Sequence, residues 1–369
     1  MSTSSSAAPA RARDLGIPLK GTPGKWNAIT DVEGVLVGHT TLIEGEGALR
    51  VGHGPVRTGV TVVLPRGRSY DPVFAGVHVL NGNGEMTGTI WIEESGFLES
   101  PIGLTNTHSV GVVRDALIAW QHERGLYDPV VPGVYWSLAV TAETWDGWLN
   151  DINGQHMRQE HVYAALDQAA AGAVAEGGVG SGTGMVCHGF KGGIGTSSRV
   201  LENGYTVGVL VQANHGAQSE LTIAGVPIGD HLSMPRQAGD PPAGAGSIIV
   251  VVATDAPLLP HQLKRLSQRA SLGIARVGAT SSNFSGDIFV SFSTANPGAA
   301  GREGLRTLTI LPHDQLDPIF TAVVQATEES ILNALVAGRT MTGINGNTVY
   351  GLPHDRVREL LRQYNRLKE

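Results

Sequence analysis

A loop of small residues runs directly into an apolar strand near residue 247, and this junction limits what the chain can fold into. Residues 239–246 read Gly-Asp-Pro-Pro-Ala-Gly-Ala-Gly, and Ser247 is followed by Ile-Ile-Val-Val-Val-Ala-Thr. Such a continuous apolar run predicts a strand that is covered on both faces, so the fold needs layers on each side of a sheet. This sequence fits an ordinary turn that leads into a strand. It also fits a flexible segment that places the hydroxyl of Ser247 at the start of the strand.

A serine at this junction can also attack the carbonyl group immediately before it. Such an attack would cut the chain and leave Ser247 with a free α-amine, whose reference pKa of about 7.7–8.0 lies near neutrality. That amine could then act as the base for the hydroxyl of the same residue. The junction alone does not separate this self-cleaving hypothesis from an ordinary turn.

Charge and cysteine content exclude several classes of protein. The net charge of −7, without a block of Lys or Arg, argues against binding to nucleic acid. The single cysteine, Cys187, excludes an internal disulfide framework and fits a cytoplasmic location. No segment approaches the ~18 apolar residues of a membrane span. We expect a disordered tail over residues 1–15 and a single domain over 16–369, with no membrane partner.

Strand and helix patterns alternate along the chain without a repeat or a break in composition. Strands are predicted over 32–41, 59–65, 131–140, 205–214, 248–254 and 287–294. Helices are predicted over 109–124, 161–176, 259–277 and 319–336, with a last helix from about Asp355. These elements predict apolar sheets sandwiched between helical layers.

Two kinds of motif give no support for a metal or phosphate site. Cys187 and His188 are adjacent, and the histidines follow neither a C-x-x-C nor an H-E-x-x-H spacing, so the pair is interpreted as a buried thiol beside a loop histidine. The glycine-rich segments 180–185 and 192–199 match neither common phosphate-binding motif, and we interpret both as tight turns.

Four polar residues near strand ends and in loops could carry chemistry. Asn214 ends a predicted buried strand, where its amide could donate to an oxyanion. Ser285 and Asp287 lie two residues apart ahead of another strand, so both could reach one site. Glu143 lies among aromatic residues, where partial burial would strengthen its attraction for a cation. Taken singly, a capped strand end, a turn or a surface ion pair explains each of them at least as well.

Taken together, five segments resemble the DmpA-type aminopeptidases and β-peptidyl aminopeptidases, a family of self-processing hydrolases with an N-terminal serine. These segments are 30–39, 142–153, 211–216, 246–250 and 285–289. The resemblance extends over nearly the whole chain after the tail. It implies an α/β fold, an αββα sandwich like that of the N-terminal nucleophile hydrolases but with different strand connectivity.

The resemblance also implies how such a chain would mature and what it would act on. An inactive precursor would be cut between Gly246 and Ser247, giving a large chain of 1–246 and a small chain of 247–369 that stay together. These two-chain units would form homo-oligomers, typically tetramers, and would need no metal or organic cofactor. Substrates would be small peptides, aminoacyl amides or esters with a free N-terminal residue of the L-α, D- or β-type.

Catalytic roles follow from the same resemblance, position by position. Ser247 would attack first the bond after Gly246 and later the substrate, and Asn214 would form the oxyanion hole. Ser285 would hydrogen-bond near the nucleophile and its amine. Asp287 would orient the amine and hydroxyl of Ser247, in a position where some β-peptide-cleaving relatives have the longer glutamate.

Two further positions would bind the substrate. Glu143 matches the acid that holds the free ammonium group, which would explain why single residues are removed from an N-terminus. Trp145 stands where some relatives have a tyrosine, and an indole cannot accept a hydrogen bond. If that tyrosine contacts the oxyanion, its task would fall here to Asn214 or to backbone amides.

Three alternatives stay open at this point. Ornithine acetyltransferases share the layered fold and the self-processing step, but they cut before threonine and transfer the acyl group. Hydrolases of ω-amino acid oligomers also use a threonine nucleophile. An unprocessed homologue could serve as a non-catalytic scaffold. Ser247 and the segment around Glu143 favour the aminopeptidase.

Overall fold

The computed structural model describes residues 10–129, 133–232 and 246–368. Most of the predicted tail, part of the predicted strand 131–140 and most of the loop before Ser247 lie outside the described residues. Within the described ranges, strands are numbered in chain order: β1 (Leu36–Glu44), β2 (Val56–Leu64), β3 (Val73–Gly82), β4 (Phe97–Leu98), β5 (Ile102–Asn106), β6 (Val140–Thr144), β7 (Val186–Cys187), β8 (Phe190–Lys191), β9 (Gly193–Val200), β10 (Thr206–Asn214), β11 (Ser247–Thr254), β12 (Gly286–Ser293), β13 (Met341–Thr342) and β14 (Thr348–Val349).

Seven α-helices occur in the same ranges. They are α1 (Thr89–Ser95), α2 (Val110–Glu123), α3 (Gln159–Gln168), α4 (Ile228–His231), α5 (Pro260–Arg276), α6 (Asp317–Ala337) and α7 (His354–Gln363). In the part of the chain that is described, none of these helices is both long and apolar enough to cross a membrane.

Two sheets form the centre of the fold. One has four strands in the order β1-β2-β5-β6, and the other has six in the order β4-β3-β12-β11-β10-β9. Neighbouring strands are antiparallel except for the pairs β5–β6 and β11–β12, which are parallel. The parallel pair β11–β12 therefore lies in the middle of the larger sheet, joined by a crossover that contains α5.

The sheets pack face to face, and each carries helices on its outer face. Alternation along β11 shows this arrangement: Ile249 and Val251 enter the core between the sheets, whereas Val250 and Val252 enter the core against α5 and α6. On the other side, α2 and α3 cover β2 through a third core cluster. The layers are thus helix, sheet, sheet, helix, and this confirms the predicted αββα sandwich.

Most of the predicted long elements are confirmed, with the first strand shifted to Leu36–Glu44, but two others are much shorter than predicted. The predicted helix 161–176 ends at Gln168, because Ala170 exchanges two backbone hydrogen bonds with Val37 and tertiary pairing overrides alanine's helix propensity. The predicted strand 131–140 begins only at Val140. Val134, Trp136 and Leu138, the apolar residues that suggested it, are half exposed and lie outside any strand.

The segment 192–199, interpreted from its glycines as a tight turn, is also corrected, because most of it forms β9. Its glycines allow α6 to approach the sheet closely: a Cβ on Gly195 would lie 1.9 Å from the carbonyl oxygen of Ser330. Small residues here make room for a packed helix, so they do not indicate a turn.

The start of the chain is ordered further back than predicted. Residues Ala12–Leu15 form a short 3₁₀ helix, and Ala12 is fully buried. Arg11 makes an ion pair with the buried Glu176, and Arg13 makes one with the buried Glu329, both at less than 3 Å. The prediction of a disordered tail is therefore wrong for residues 10–15.

Candidate active site

The ends of three adjacent strands bring the predicted catalytic residues together. In the antiparallel pair β10–β11, Asn214 lies directly opposite Ser247. In the parallel pair β11–β12, Ile248 lies opposite Asp287. The end of β10 therefore meets the beginnings of β11 and β12, at one end of these three central strands.

Ser247 is the first residue of β11, and its side chain is almost completely buried. Its Oγ accepts a hydrogen bond of 3.0 Å from the backbone N–H of Gly286. This contact fixes the position of the hydroxyl oxygen and leaves its own proton available for transfer. In the uncut chain, the nitrogen of Ser247 is part of the peptide bond to Gly246.

Gly246 is held in a conformation that other residues avoid. Its φ is +140°, and a Cβ at this position would lie 2.0 Å from the carbonyl oxygen of Asn214. Only glycine can occupy this place without moving the end of β10. The peptide bond that follows Gly246 therefore lies close to the end of β10, which carries Asn214.

Asp287 is the centre of a small hydrogen-bond network. Its Oδ1 accepts from Ser285 Oγ at 2.6 Å and from the backbone N–H of Ile248 at 3.1 Å, and its Oδ2 accepts from Ser281 Oγ. Burial raises the pKa of Asp287, and these three donors counter part of that rise. The shorter aspartate thus reaches the amide of the residue that follows Ser247.

Asn214 is oriented by two backbone groups. Its Oδ1 accepts from the N–H of Val186 at 2.7 Å, and its Nδ2 donates to the carbonyl oxygen of Trp145 at 2.9 Å. These two bonds fix which end of the amide is the donor. The carboxamide has a second N–H on Nδ2, and an oxyanion hole needs such a donor on rigid backbone.

Glu143 lies on β6 in the facing sheet and reaches the same region. Its Oε1 accepts from the N–H of Glu85 at 3.0 Å, and its Oε2 accepts from Thr107 Oγ1. A Cβ on Gly84 would be 3.3 Å from Glu143 Oε1 and 3.0 Å from the Cα of Gly286, so Gly84 contacts both. Burial raises the pKa of Glu143, and the two donors oppose that rise.

Trp145 joins the site through its backbone. Its carbonyl oxygen accepts from Asn214, while its side chain is 42 % exposed and packs over Gly147. A half-exposed indole beside buried polar groups can contact a bound side chain.

The structure therefore brings together all of the residues singled out in the sequence. Sequence reasoning missed three groups that complete the site: the backbone N–H of Gly286, the backbone N–H of Val186 and the hydroxyl of Ser281. Backbone donors leave no trace in side-chain patterns. Ser281 is six residues before Asp287 in a loop of small polar residues, and only the folded loop shows the contact.

Comparison with known proteins agrees with the catalytic site that this geometry suggests. The profile described as peptidase family S58 matches residues 27–349. The chain belongs to this family. It is 54 % identical to the β-peptidyl aminopeptidase BapA of Sphingosinicella microcystinivorans, over 97 % of this chain and 93 % of that protein.

Two solved structures of aminopeptidases superpose on nearly the whole chain. A β-aminopeptidase from Burkholderia sp. is 51 % identical with a TM-score of 0.87, over 96 % of this chain and 99 % of its own. The L-aminopeptidase D-Ala-esterase/amidase from Ochrobactrum anthropi is 46 % identical with a TM-score of 0.91, over 97 % and 99 %. The latter is described as a prototype for the serine aminopeptidases and a new variant of the Ntn hydrolase fold.

These findings confirm the resemblance predicted from sequence. They also confirm the fold class and the assignment of this S58 protein as a serine aminopeptidase.

The contact between Ser281 and Asp287 leads to a prediction about turnover. Removing the hydroxyl with Ser281→Ala leaves one buried carboxylate oxygen unpaired, and a hydrogen bond to a charged group contributes about 1.5–3 kcal/mol. Because only part of this loss would reach the transition state, we expect kcat to fall about tenfold, which corresponds to about 1.4 kcal/mol, with little change in KM. Steady-state kinetics on an aminoacyl-p-nitroanilide provide the measurement.

The matched control is Ser69→Ala, which removes an exposed serine hydroxyl that donates to the carbonyl oxygen of Arg66. Unchanged kcat in Ser281→Ala, or an equal loss in both variants, would show that Ser281 does not help to position Asp287.

Proposed function

We propose that this S58 protein matures by cutting itself between Gly246 and Ser247 and then removes single residues from the free N-terminus of small substrates. The observation that carries the proposal is the register of β10 and β11, which sets Asn214 directly opposite Ser247. This register gives the nucleophile a rigid amide donor beside the bond to be cut.

In the maturation step, the Ser247 hydroxyl adds to the carbonyl carbon of Gly246. The peptide nitrogen leaves with a proton, and an ester then links Gly246 to Ser247 Oγ. Water hydrolyses the ester, which gives a carboxylate on Gly246 and a free amine on Ser247. The fixed position of Ser247 Oγ and the positive φ of Gly246 support this step. Both limit the relative orientation of the attacking hydroxyl and the carbonyl group of Gly246.

In the catalytic step, the new amine takes the proton of the Ser247 hydroxyl as the oxygen attacks the substrate carbonyl. Asn214 Nδ2 would stabilise the oxyanion, a contribution of about 2.7–4 kcal/mol for donors of this kind. Asp287 and Ser285 would hold the start of β11 in place through the N–H of Ile248. The amine then returns the proton to the leaving group, and water releases the acyl residue.

The substrate would carry a free ammonium group that is bound by Glu143. Both β-aminopeptidases named above are more than 50 % identical to this chain, so we propose that N-terminal β-amino acids are among the residues accepted. L-α and D-aminoacyl amides and esters are the further candidates, because the structural relative from Ochrobactrum anthropi acts on them by its description.

Glu143 gives this proposal a test that depends on pH. Glu143→Gln removes the charge that attracts the ammonium, and we expect KM to rise about 10- to 100-fold, which corresponds to about 1.4–2.7 kcal/mol. In the unmodified enzyme, KM should rise as pH falls through the pKa of Glu143. Since burial raises this pKa, the rise should begin at a higher pH than for an exposed glutamate.

The control for this variant is Glu94→Gln, which changes an exposed carboxylate on α1 and should alter KM far less. A Glu143→Gln enzyme that keeps the low KM and the same pH profile would contradict the assignment of Glu143.

One set of assays separates the proposed reaction from its alternatives. Release of p-nitroaniline from β-alanyl, L-alanyl and D-alanyl p-nitroanilides would support an aminopeptidase. Acetyl transfer to ornithine, or hydrolysis of ω-amino acid oligomers without those activities, would instead favour one of the alternative enzymes. A protein that stays whole and lacks all three activities would fit a scaffold.

Assembly and location are further parts of the proposal. We propose that residues 16–369 act as one catalytic domain and that the two-chain units form a cytoplasmic homo-oligomer, typically a tetramer. The sequence resemblance supports the tetramer. Light scattering coupled to gel filtration would measure the assembled mass, and a monomeric two-chain unit would overturn this part alone.

A further inference from the structure

A buried cluster of sulfur and nitrogen atoms lies directly behind Asn214. Cys187, His188 and His215 each offer one ligand atom, and the three atoms lie within 4.8 Å of one another. All three residues are at most 2 % exposed. The sequence predicts only a buried thiol beside a loop histidine at residues 187 and 188, and the fold adds His215, which directly follows β10.

Each of the two histidines has one ring nitrogen without a hydrogen-bond partner among the described residues. His188 Nδ1 lies 3.0 Å from the carbonyl oxygen of Ala217, while its Nε2 is buried without a hydrogen-bond partner among the described residues. His215 Nδ1 faces Cys187 Sγ at 3.8 Å, and its Nε2 is likewise unpaired. Buried polar atoms are normally paired, so the unpaired Nε2 of His188, in a cluster with a thiol and a second imidazole, needs an explanation.

The backbone around His188 adds a second cost. His188 and Gly189 link β7 to β8 with φ values of +47° and +73°, a turn that favours Asn-Gly. Gly216 gives the ring its space, because a Cβ there would lie 2.4–2.7 Å from three atoms of the imidazole. The chain thus places a histidine in an unfavourable conformation and builds a glycine cradle around it.

We propose that Cys187, His188 and His215 form a binding site for a thiophilic transition-metal ion, Cu⁺ or Zn²⁺. The 3.8 Å between Sγ and Nδ1 is close to the roughly 3.5 Å that separates a thiolate and an imidazole on one tetrahedral zinc ion. Soft thiolate and imidazole ligands select these ions. The contact between His188 Nδ1 and a backbone carbonyl is the support that metal-binding histidines usually have.

The charges around the cluster suit both ions in different ways. Binding releases the thiol proton of Cys187 to water, so Cu⁺ with the thiolate gives a neutral centre, and Zn²⁺ gives one net positive charge. Within the described ranges, Lys191 acts electrostatically on Cys187 and Glu220 acts on His188. Glu220 would balance a positive centre, whereas Lys191 would favour the thiolate.

The site adjoins the active site at two points. His215 follows Asn214 in the chain, and Cys187 follows Val186, whose N–H holds the Asn214 amide. His215 also lines a small cavity together with Ser285 and Asp287. A bound ion would therefore fix the two backbone segments that orient the oxyanion donor.

The experiment loads the metal-free protein separately with Zn²⁺ and, under anaerobic conditions, with Cu⁺, and measures the metal content per chain after dialysis. Co²⁺ serves as an optical probe, because only a thiolate ligand gives a sulfur-to-cobalt charge-transfer band. We expect one ion per chain in at least one arm and a thiolate band with Co²⁺. The arm that retains metal identifies the ion.

Two variants test the ligands, and one tests for surface binding. Cys187→Ser and His188→Asn should each weaken binding at least tenfold, and asparagine suits the turn conformation of residue 188. His261→Gln combined with His313→Gln removes an exposed histidine pair whose Nε2 atoms are 3.4 Å apart, and it should change nothing. Circular dichroism checks that each variant is folded.

Metal content and a cobalt band that persist in both Cys187→Ser and His188→Asn would overturn the proposal. So would the absence of retained Zn²⁺ and Cu⁺ in the folded, unmodified protein. Neither result depends on aminopeptidase activity, so a failure here leaves the proposed function untouched.

Discussion

A Ser247→Ala protein should run as one intact chain of 38.6 kDa and release no amine from aminoacyl-p-nitroanilides. The unmodified protein should instead give two chains, with about two thirds and one third of that mass, since the cut falls after residue 246 of 369. The variant lacks both the atom that attacks Gly246 and the atom that would attack the substrate. We therefore expect complete loss of both reactions.

Denaturing mass spectrometry and N-terminal sequencing of the smaller chain, which should begin at Ser247, make this measurement. Ser247→Cys is the matched control, because a thiol of similar size can still attack the preceding carbonyl. Folding should be unaffected, since the Ser247 side chain makes only the contact with the N–H of Gly286 among the described residues.

Two outcomes would count against the assignment. A Ser247→Ala protein that is still cut would place the nucleophile elsewhere. An unmodified chain that stays whole for days at neutral pH would show that the amine is never released, and the scaffold alternative would then be favoured.

We expect a large loss of stability from a change at Lys191, a fully buried lysine close to the thiol of Cys187. Its Nζ donates to the carbonyl oxygens of Gly182, Met185 and Gly192 at 2.8–3.0 Å, which matches the three N–H groups of an ammonium. Lys191→Met would remove all three bonds and leave the carbonyl oxygens of Gly182 and Met185 with one backbone N–H each, from Met185 and Gly192. We expect the free energy of unfolding to fall by about 3–5 kcal/mol.

Urea denaturation followed by fluorescence would measure this loss. Lys264→Met is the control, because Lys264 pairs with Glu93 at 2.9 Å while both side chains are about half exposed. Such a surface pair contributes about 0–1 kcal/mol. A loss for Lys191→Met no larger than that of the control would show that the three carbonyls find other partners.

The sequence predicts the centre of the larger sheet well because strong apolar patterns lie there. The runs that form β10, β11 and β12 and the periodic helices α5 and α6 agree with their predicted positions to within about two residues. Ser247 is the first residue of its strand, as the junction with the small-residue loop indicates.

The errors occur where contacts between distant residues decide the local structure. An alanine-rich segment stops being helical at Gln168 because Val37 offers its backbone to Ala170. Arg11 is ordered because Glu176, far along the chain, is buried beside it. Likewise, Cys187 and His215 are 28 positions apart in the sequence, and no local spacing predicts that they lie together.

The strand order of the larger sheet indicates whether folding or the proposed cut at Ser247 comes first. β11 and β12 would belong to the proposed small chain, yet they lie between β3 and β10, which would belong to the large chain. A cut after Gly246 would therefore leave two polypeptides interleaved in one sheet.

Such a pair can form easily only while the strands are still tethered, because joining separate chains would require two molecules to meet and one to insert two adjacent strands. Folding should thus precede the cut, and a mature enzyme that has once been unfolded should refold slowly and in a concentration-dependent way. The peptide bond that holds the strands together during folding would be broken by activation, so each molecule would have a single opportunity to reach this state.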